Sequence, residues 1–301
     1  MSTPVTLRSV LAVITATDTL EGAGFRVRRP FPTRPLDHLD PFLLLDEMGP
    51  MESKPGEAKG APDHPHRGFE TVTYLLSGEF VHRDSHGGGG TIRPGEVQWM
   101  TAGAGVVHSE MPSAAFQKSG GLMHGFQLWV NLPLAEKLSP PRYQGLGGAT
   151  LPTASSADGL AEVKVIAGEA LGARAATATH TPILYLHATL RPGGTLGLPV
   201  AAGWNAFAYV FEGKVRVGRD GRVAPAGTMV ILKDDGAEVA LAADGDAVAQ
   251  VLVLAGRPIG EPVARYGPFV MTTEQELREA FDDYQAGRMG RIPAEVSREE
   301  A

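Results

Sequence analysis

The stretch DHPHRGFETVTYLLSGEFVHRDSHGGGGTIRPGEVQWMTAGAGVVHSEMP, residues 63–112, decides the fold and carries the chemistry. His64 and His66 stand two residues apart. On a strand such residues share a face, so both imidazoles point into one space. Glu70, four residues beyond His66, keeps that parity only if the strand runs unbroken through Gly68. His108 and Glu110 form a second pair at the same spacing. Two such strands facing each other bring three imidazoles and a carboxylate to one point.

Imidazole with carboxylate suits borderline divalent metals such as Fe, Mn, Ni, Co, Cu or Zn, whereas Mg and Ca prefer oxygen ligands. Four protein ligands on a six-coordinate ion leave about two positions open for water, O2 or substrate. His82 and His86 flank a glycine run and read as rim or surface residues. His38, His124, His180 and His187 are isolated, and His124 is a candidate for the pocket wall.

The flanks read as short strands broken by turns. Glu70–Ser77 is a strand ending at Gly78, Gly87–Gly90 a hairpin loop, and Arg93-Pro94-Gly95-Glu96 a turn before Val97–Met100. A strand pair carrying HxH, then a glycine-rich turn and a strand carrying H, outlines a cupin. The chain has 301 residues, 38 glycines and 23 prolines. That length suits two domains of about 130 residues. Many short strands with frequent turns argue for sandwiches or barrels.

The net charge is −7, with no basic cluster, so there is no electrostatic footprint for direct nucleic-acid binding. There is no cysteine, which excludes disulfides, thiolate ligands and cysteine nucleophiles. That fits a reducing cytoplasm. The opening residues read as a strand rather than a signal peptide, and no run approaches a membrane span.

Along the chain, Phe42–Leu45 is a buried strand, while Asp46 and Glu47 are expected as solvated turn residues. Residues 49–62 are a loop near the pocket mouth. Gly125–Leu132 is a strand with Phe126, Leu128 and Val130 on one face and Gln127 and Trp129 on the other. Phe69, Met100, Val107, Met111 and Phe126 are expected pocket lining. The expected division is a metal-binding domain over 1–135, a linker over 136–160, a second domain over 161–270, and a helix and frayed tail over 271–301. Phe207–Gly213 echoes Thr71–Gly78, but Gly203-Trp204-Asn205 stands where HPH would be, so the second copy is expected to bind no metal. Thr273 caps the helix with Glu276, Leu277, Phe281 and Tyr284 form its apolar stripe, and Gly287 ends it.

DPFLLLDE (40–47), DHPHRGFETVTYLLSGE (63–79), PGEVQWMTAGAGVVHSEMP (94–112), HGFQLWVNLP (124–133) and GPFVMTTEQELREAF (267–281) closely resemble the pirin family over nearly the whole chain. The resemblance implies an all-β fold of two tandem cupin (jelly-roll β-barrel) domains with a C-terminal helix, and an opening segment that reaches across to the far domain. It implies one mononuclear metal ion, usually iron as Fe(II), held by His64, His66, His108 and Glu110. Glu70 is the corresponding ligand in many other cupins. It implies a dioxygenase similar to those that open flavonols such as quercetin, acting on a small aromatic hydroxy-carbonyl substrate and O2 with Glu110 as the catalytic base. The alternative it implies is a redox-sensitive iron-binding regulator with a protein partner, in which Arg67 transmits the change.

Overall fold

The computed structural model describes residues 6–147 and 150–293. The chain is all-β apart from short helices, and it builds the same pair of sheets twice. In the first unit a seven-stranded sheet runs in the order Arg142–Leu146, Val97–Thr101, Phe69–Ser77, Gly121–Asn131, Phe42–Ser53, Phe25–Phe31, Thr17–Glu21. A four-stranded sheet faces it, in the order Ala61–His66, Val106–Pro112, Phe80–Asp84, Gly89–Ile92. The second unit repeats the scheme. Its large sheet runs Val10–Thr15, Thr228–Leu232, Asn205–Glu212, Ala249–Gly256, Ile183–Leu190, Ala161–Ala167, Thr153–Ser155. Its small sheet runs Thr195–Pro199, Glu238–Ala243, Lys214–Val217, Arg222–Pro225.

The two units trade strands. Val10–Thr15 pairs antiparallel with Thr228–Leu232, so the start of the chain belongs to the far sheet. Arg142–Leu146 pairs with Val97–Thr101 and returns to the first sheet. The expected linker over 136–160 therefore holds an edge strand of each unit, and the expected first domain over 1–135 holds a strand of the second. Composition marks where periodicity breaks. It does not say which distant edge a short strand will join.

Side-chain alternation divides the first large sheet into two faces. Val72, Tyr74, Phe126, Leu128 and Val130 pack against Tyr185, Phe207, Tyr209 and Leu252 of the second unit. Phe207 receives the ring edges of Phe31 and Phe42, with centroids 5.6 and 5.5 Å away. The opposite face, with Thr73, Gln127 and Trp129, looks into the first unit. The interior of the second unit is filled by Leu, Val and Ala side chains such as Leu186, Val210, Val230 and Val253.

Asp46 and Glu47 are not solvated turn residues. The strand continues to Ser53, and both carboxylates are buried. Glu47 faces the second unit. It accepts from Arg28 Nη2 (2.5 Å) and Tyr209 Oη (2.5 Å) and lies 3.0 Å from His124 Nε2. His124 thus belongs to the domain interface. His187 does too, between Tyr74 Oη (2.8 Å) and Gln250 Oε1 (2.9 Å). Its apolar surroundings push its imidazole down to about 4.

After the second unit the chain returns to the first. Ala264–Tyr266 and Phe269–Met271 form a hairpin, followed by the helix Glu274–Gln285. Thr273 and Glu276 complete a capping box, and Gly287 at φ +74 follows the helix end. Leu277 and Ala280 bury against Val107, Phe269 and Met289. Tyr284, expected in the buried stripe, is 39% exposed. Residues 294–301, most of the expected tail, lie outside the described residues. Among the described residues no helix is long and apolar enough to cross a membrane.

Candidate metal centre

Three imidazoles meet between the sheets of the first unit. One ring nitrogen each from His64, His66 and His108 lies within 4.8 Å of the others. The register explains this: His64 pairs across the ladder with His108, and paired residues share a face. The ring centroids lie 4.3 Å (His64–His108), 4.7 Å (His64–His66) and 4.9 Å (His66–His108) apart.

Hydrogen bonding orients two of these rings. His64 Nδ1 lies 2.7 Å from the Pro62 carbonyl, and His66 Nδ1 lies 3.3 Å from the Pro268 carbonyl. A carbonyl only accepts, so each Nδ1 carries the proton and each Nε2 presents a lone pair. Those two Nε2 atoms face each other at 3.1 Å. Two acceptors cannot bond each other, but both can bind a cation between them. His108 is buried, with neither ring nitrogen hydrogen-bonded. Burial among other imidazoles holds His66 and His108 well below the usual imidazole range, which keeps their lone pairs free. These residues fit a borderline divalent metal.

Glu110 stands beside this group rather than within it. It is on the inner face with His108 and lines the same cavity. Thr73 Oγ1 lies 2.6 Å from its Oε1 and 2.8 Å from Gln127 Oε1. Burial raises its pKa, opposed by the Thr73 hydrogen bond and the His64 ring. Glu70 points the other way. Gly68, at φ +85, breaks the strand, so parity does not carry from His66 to Glu70. Glu70 shares the outward face of Val72 and accepts from Thr101 Oγ1 at 2.7 Å.

His82 is not a rim residue. It is 1% exposed, its ring centroid lies 5.6 Å from that of His108, and its Nε2 lies 2.9 Å from Tyr143 Oη. Burial pushes its imidazole down to about 4. Its register partner is Glu110, which puts it on the inner face. His86 is exposed, as expected.

The cavity over the centre measures about 560 Å3, a normal size for a small organic ligand. None of the five expected lining residues borders it. Val107 and Met111 alternate with His108 and Glu110 and face outward. Phe126 is in the domain interface, and Met100 packs with Ala102 and Val106. Phe69 sits one layer back, tilted against Trp129 with centroids 4.3 Å apart. The wall is formed instead by Phe25, Arg29, Asp46, Asp63, Gln127, Trp129, Arg265 and Pro268, with Ala61 and Pro62 from the expected mouth segment. Asp46 accepts from Arg29 Nε (2.7 Å) and Nη2 (2.6 Å), and burial still raises it to about 6. Alternation signalled Gln127 and Trp129. No local signal marked Arg265 and Pro268, which arrive from beyond the second unit.

The pirin family model matches residues 24–130, and the model of the pirin C-terminal cupin domain matches residues 185–290. The chain belongs to the pirin family. A pirin-like protein of Solanum lycopersicum is 44% identical over 284 residues, covering 94% of this chain and 93% of its own. A Pseudomonas aeruginosa protein provisionally named quercetin 2,3-dioxygenase is 41% identical over 269 residues, covering 89% and 93%. A crystal structure of quercetin 2,3-dioxygenase from Acinetobacter baumannii superposes with a TM-score of 0.89 at 40% identity, covering 95% of this chain and all of the other. The two units are thus the two cupin domains of a pirin.

Proposed function

We propose that this pirin is a metal-dependent dioxygenase acting on a small aromatic compound with a hydroxyl beside a carbonyl, such as a flavonol. The observation that carries the reading is the pair of opposed Nε2 lone pairs of His64 and His66 opening onto a ligand-sized cavity. The names of the Pseudomonas and Acinetobacter relatives support the substrate class. His64, His66 and His108 would hold one divalent ion, with Fe(II) our choice and Mn, Ni, Co, Cu or Zn also suited to the set. Glu110 would complete the ligand set and act as the base. When bound, the ion supplies Lewis acidity towards a substrate oxygen and a redox centre for O2.

The protein's own residues do the rest. Glu110 Oε1, beside the three rings, takes the proton of the substrate hydroxyl. The Thr73 hydroxyl, between Glu110 Oε1 and Gln127 Oε1, donates to that carboxyl and holds it in place. Trp129, T-shaped to His66 at 5.2 Å, adds apolar surface to the cavity wall beside that ring. Phe69 and Trp129 exclude water from one side of the His66 ring. The test is O2 uptake with loss of flavonol absorbance by protein loaded with each metal. No turnover with any of them, at confirmed one-to-one loading, overturns the reading.

One observation favours a second, regulatory reading. Arg67 follows His66, donates to the Ala104 carbonyl (2.6 Å) and pairs with Asp283 on the C-terminal helix (2.7 Å). A change at the centre would reach that helix through this contact. Equal hydrogen exchange in residues 274–285 for Fe(II) and Fe(III) protein would dismiss it.

A further inference from the structure

The cavity wall beside the end of the metal strand is partly made by the hairpin Ala264–Tyr266/Phe269–Met271, which comes from the far end of the chain and bridges to Arg67 through Phe269. Its tip delivers the Pro268 carbonyl to His66. Its first strand delivers Arg265. That guanidinium lies over the Trp129 ring, 4.8 Å from the centroid, and Nη1 donates to the Leu43 carbonyl at 3.0 Å. Among the described residues it has no carboxylate within ion-pair distance.

The other arginine of the wall is different. Arg29 is committed to Asp46 through two hydrogen bonds and to Glu21 through a third. That sets one guanidinium against two carboxylates, so Arg29 is not free for an anion and the cluster keeps a surplus of negative charge. Asp63, at the rim, is exposed to water, which screens its charge. Arg265 feels Asp37, Asp46 and Glu21 only from beyond ion-pair distance, and burial outweighs their attraction, so it is the half-buried arginine of the cavity whose N–H groups have no carboxylate partner among the described residues. A guanidinium taken partly out of water without a directly bonded counter-charge costs free energy that an anionic ligand recovers. Its planar fork suits an oxygen anion, and the adjoining indole suits an aromatic ring.

We infer that Arg265 is a specificity residue that selects substrates carrying an anionic oxygen, a carboxylate or an ionised ring hydroxyl, away from the hydroxy-carbonyl pair directed at the metal. This rests on the dioxygenase reading for the position of that pair, but the anion contact stands apart from turnover. Trp129 packs against the guanidinium, and the Leu43 carbonyl fixes its direction. The remaining N–H groups are left for the ligand.

The experiment measures anaerobic binding to metal-loaded full-length protein by tryptophan fluorescence. The probes are unsubstituted flavonol, the same compound with a carboxylate on its phenyl ring, one with an ionisable hydroxyl there, and a flavone carboxylate lacking the enol hydroxyl. Wild-type protein is expected to bind the anionic flavonols about tenfold more tightly than the neutral one. Arg265→Met, which keeps an unbranched stem over Trp129, removes that preference without lowering metal content. Arg265→Lys keeps part of it. The carboxylate and hydroxyl probes tell which anion is preferred. Equal binding of neutral and anionic flavonols by wild type, no binding of any probe, or a preference that survives Arg265→Met overturns the assignment. Turnover of neutral flavonol with no charge preference sinks the anion site alone. Arg265-dependent binding of the flavone carboxylate without turnover of any flavonol sinks the dioxygenase reading alone.

Discussion

The Nε2 atoms of His64 and His66 lie 3.1 Å apart, each with its opposite ring nitrogen on a backbone carbonyl. Facing lone pairs at that distance repel unless a cation lies between them. A His64→Ala/His108→Ala double variant should therefore be purified essentially free of metal while wild-type protein carries one equivalent. Elemental analysis of untagged protein checks this, and equal metal in both would refute the centre.

Glu110 shares a face with His108 but hydrogen-bonds Thr73. If it completes the ligand set, Glu110→Gln should weaken metal binding at least about tenfold, by competition with a chromophoric chelator. Glu70→Gln, on the outward face, should leave metal affinity within about twofold. A reversed order would return the ligand role to Glu70.

Gly68 ends the metal strand at φ +85, and a Cβ there would stand 2.0 Å from the Val270 carbonyl. Gly68→Ala should cost about 2–4 kcal/mol in urea unfolding through backbone strain and overpacking. It should also loosen the hairpin that holds His66, so metal affinity should drop with stability. Unchanged stability would mean the turn relaxes freely.

Lys137 is 1% exposed and donates from Nζ to the Gly68 carbonyl (2.9 Å), Asn131 Oδ1 (2.8 Å) and the Val270 carbonyl (3.0 Å). Burial pushes its ammonium down to about 8 from 10.5, against attraction from Glu276 and Glu261. A base whose folded pKa is depressed loses its proton earlier in the folded state than in the unfolded one. Over that window the unfolded chain binds more protons, so this group's contribution to stability rises with pH from about 8 to about 10.5. The stability difference between wild type and Lys137→Met should therefore widen in favour of wild type across that range. A flat or opposite trend in denaturant titrations refutes the linkage.

Tyr209 donates to Glu47, a carboxylate with no exposed surface at the domain interface. Tyr209→Phe leaves that oxygen one partner short and should cost about 1–3 kcal/mol. The measurement is the denaturant midpoint of the full chain. A change below a few tenths would show that water or Arg28 takes over.

Two-residue spacing was enough to pick out the three imidazoles that meet between the sheets. His64 with His66, and His108 with Glu110, share faces because strand side chains alternate, and glycine turns show where strands stop. The same alternation placed Gln127 and Trp129 opposite Phe126, and the capping residues Thr273 and Glu276 located the last helix. Those are local relations, determined by neighbours in the chain. Tertiary structure decided everything that depends on long-range pairing. It sent Val10–Thr15 to one sheet and Arg142–Leu146 to the other, buried Asp46, Glu47 and His82, and turned Glu70 away at Gly68. It also carried Pro268 back to His66 across a separation of 202 residues, and Arg265 back to Trp129. No local pattern encodes such contacts, because they arise only when two cores pack and the chain end must cover the surface left between them.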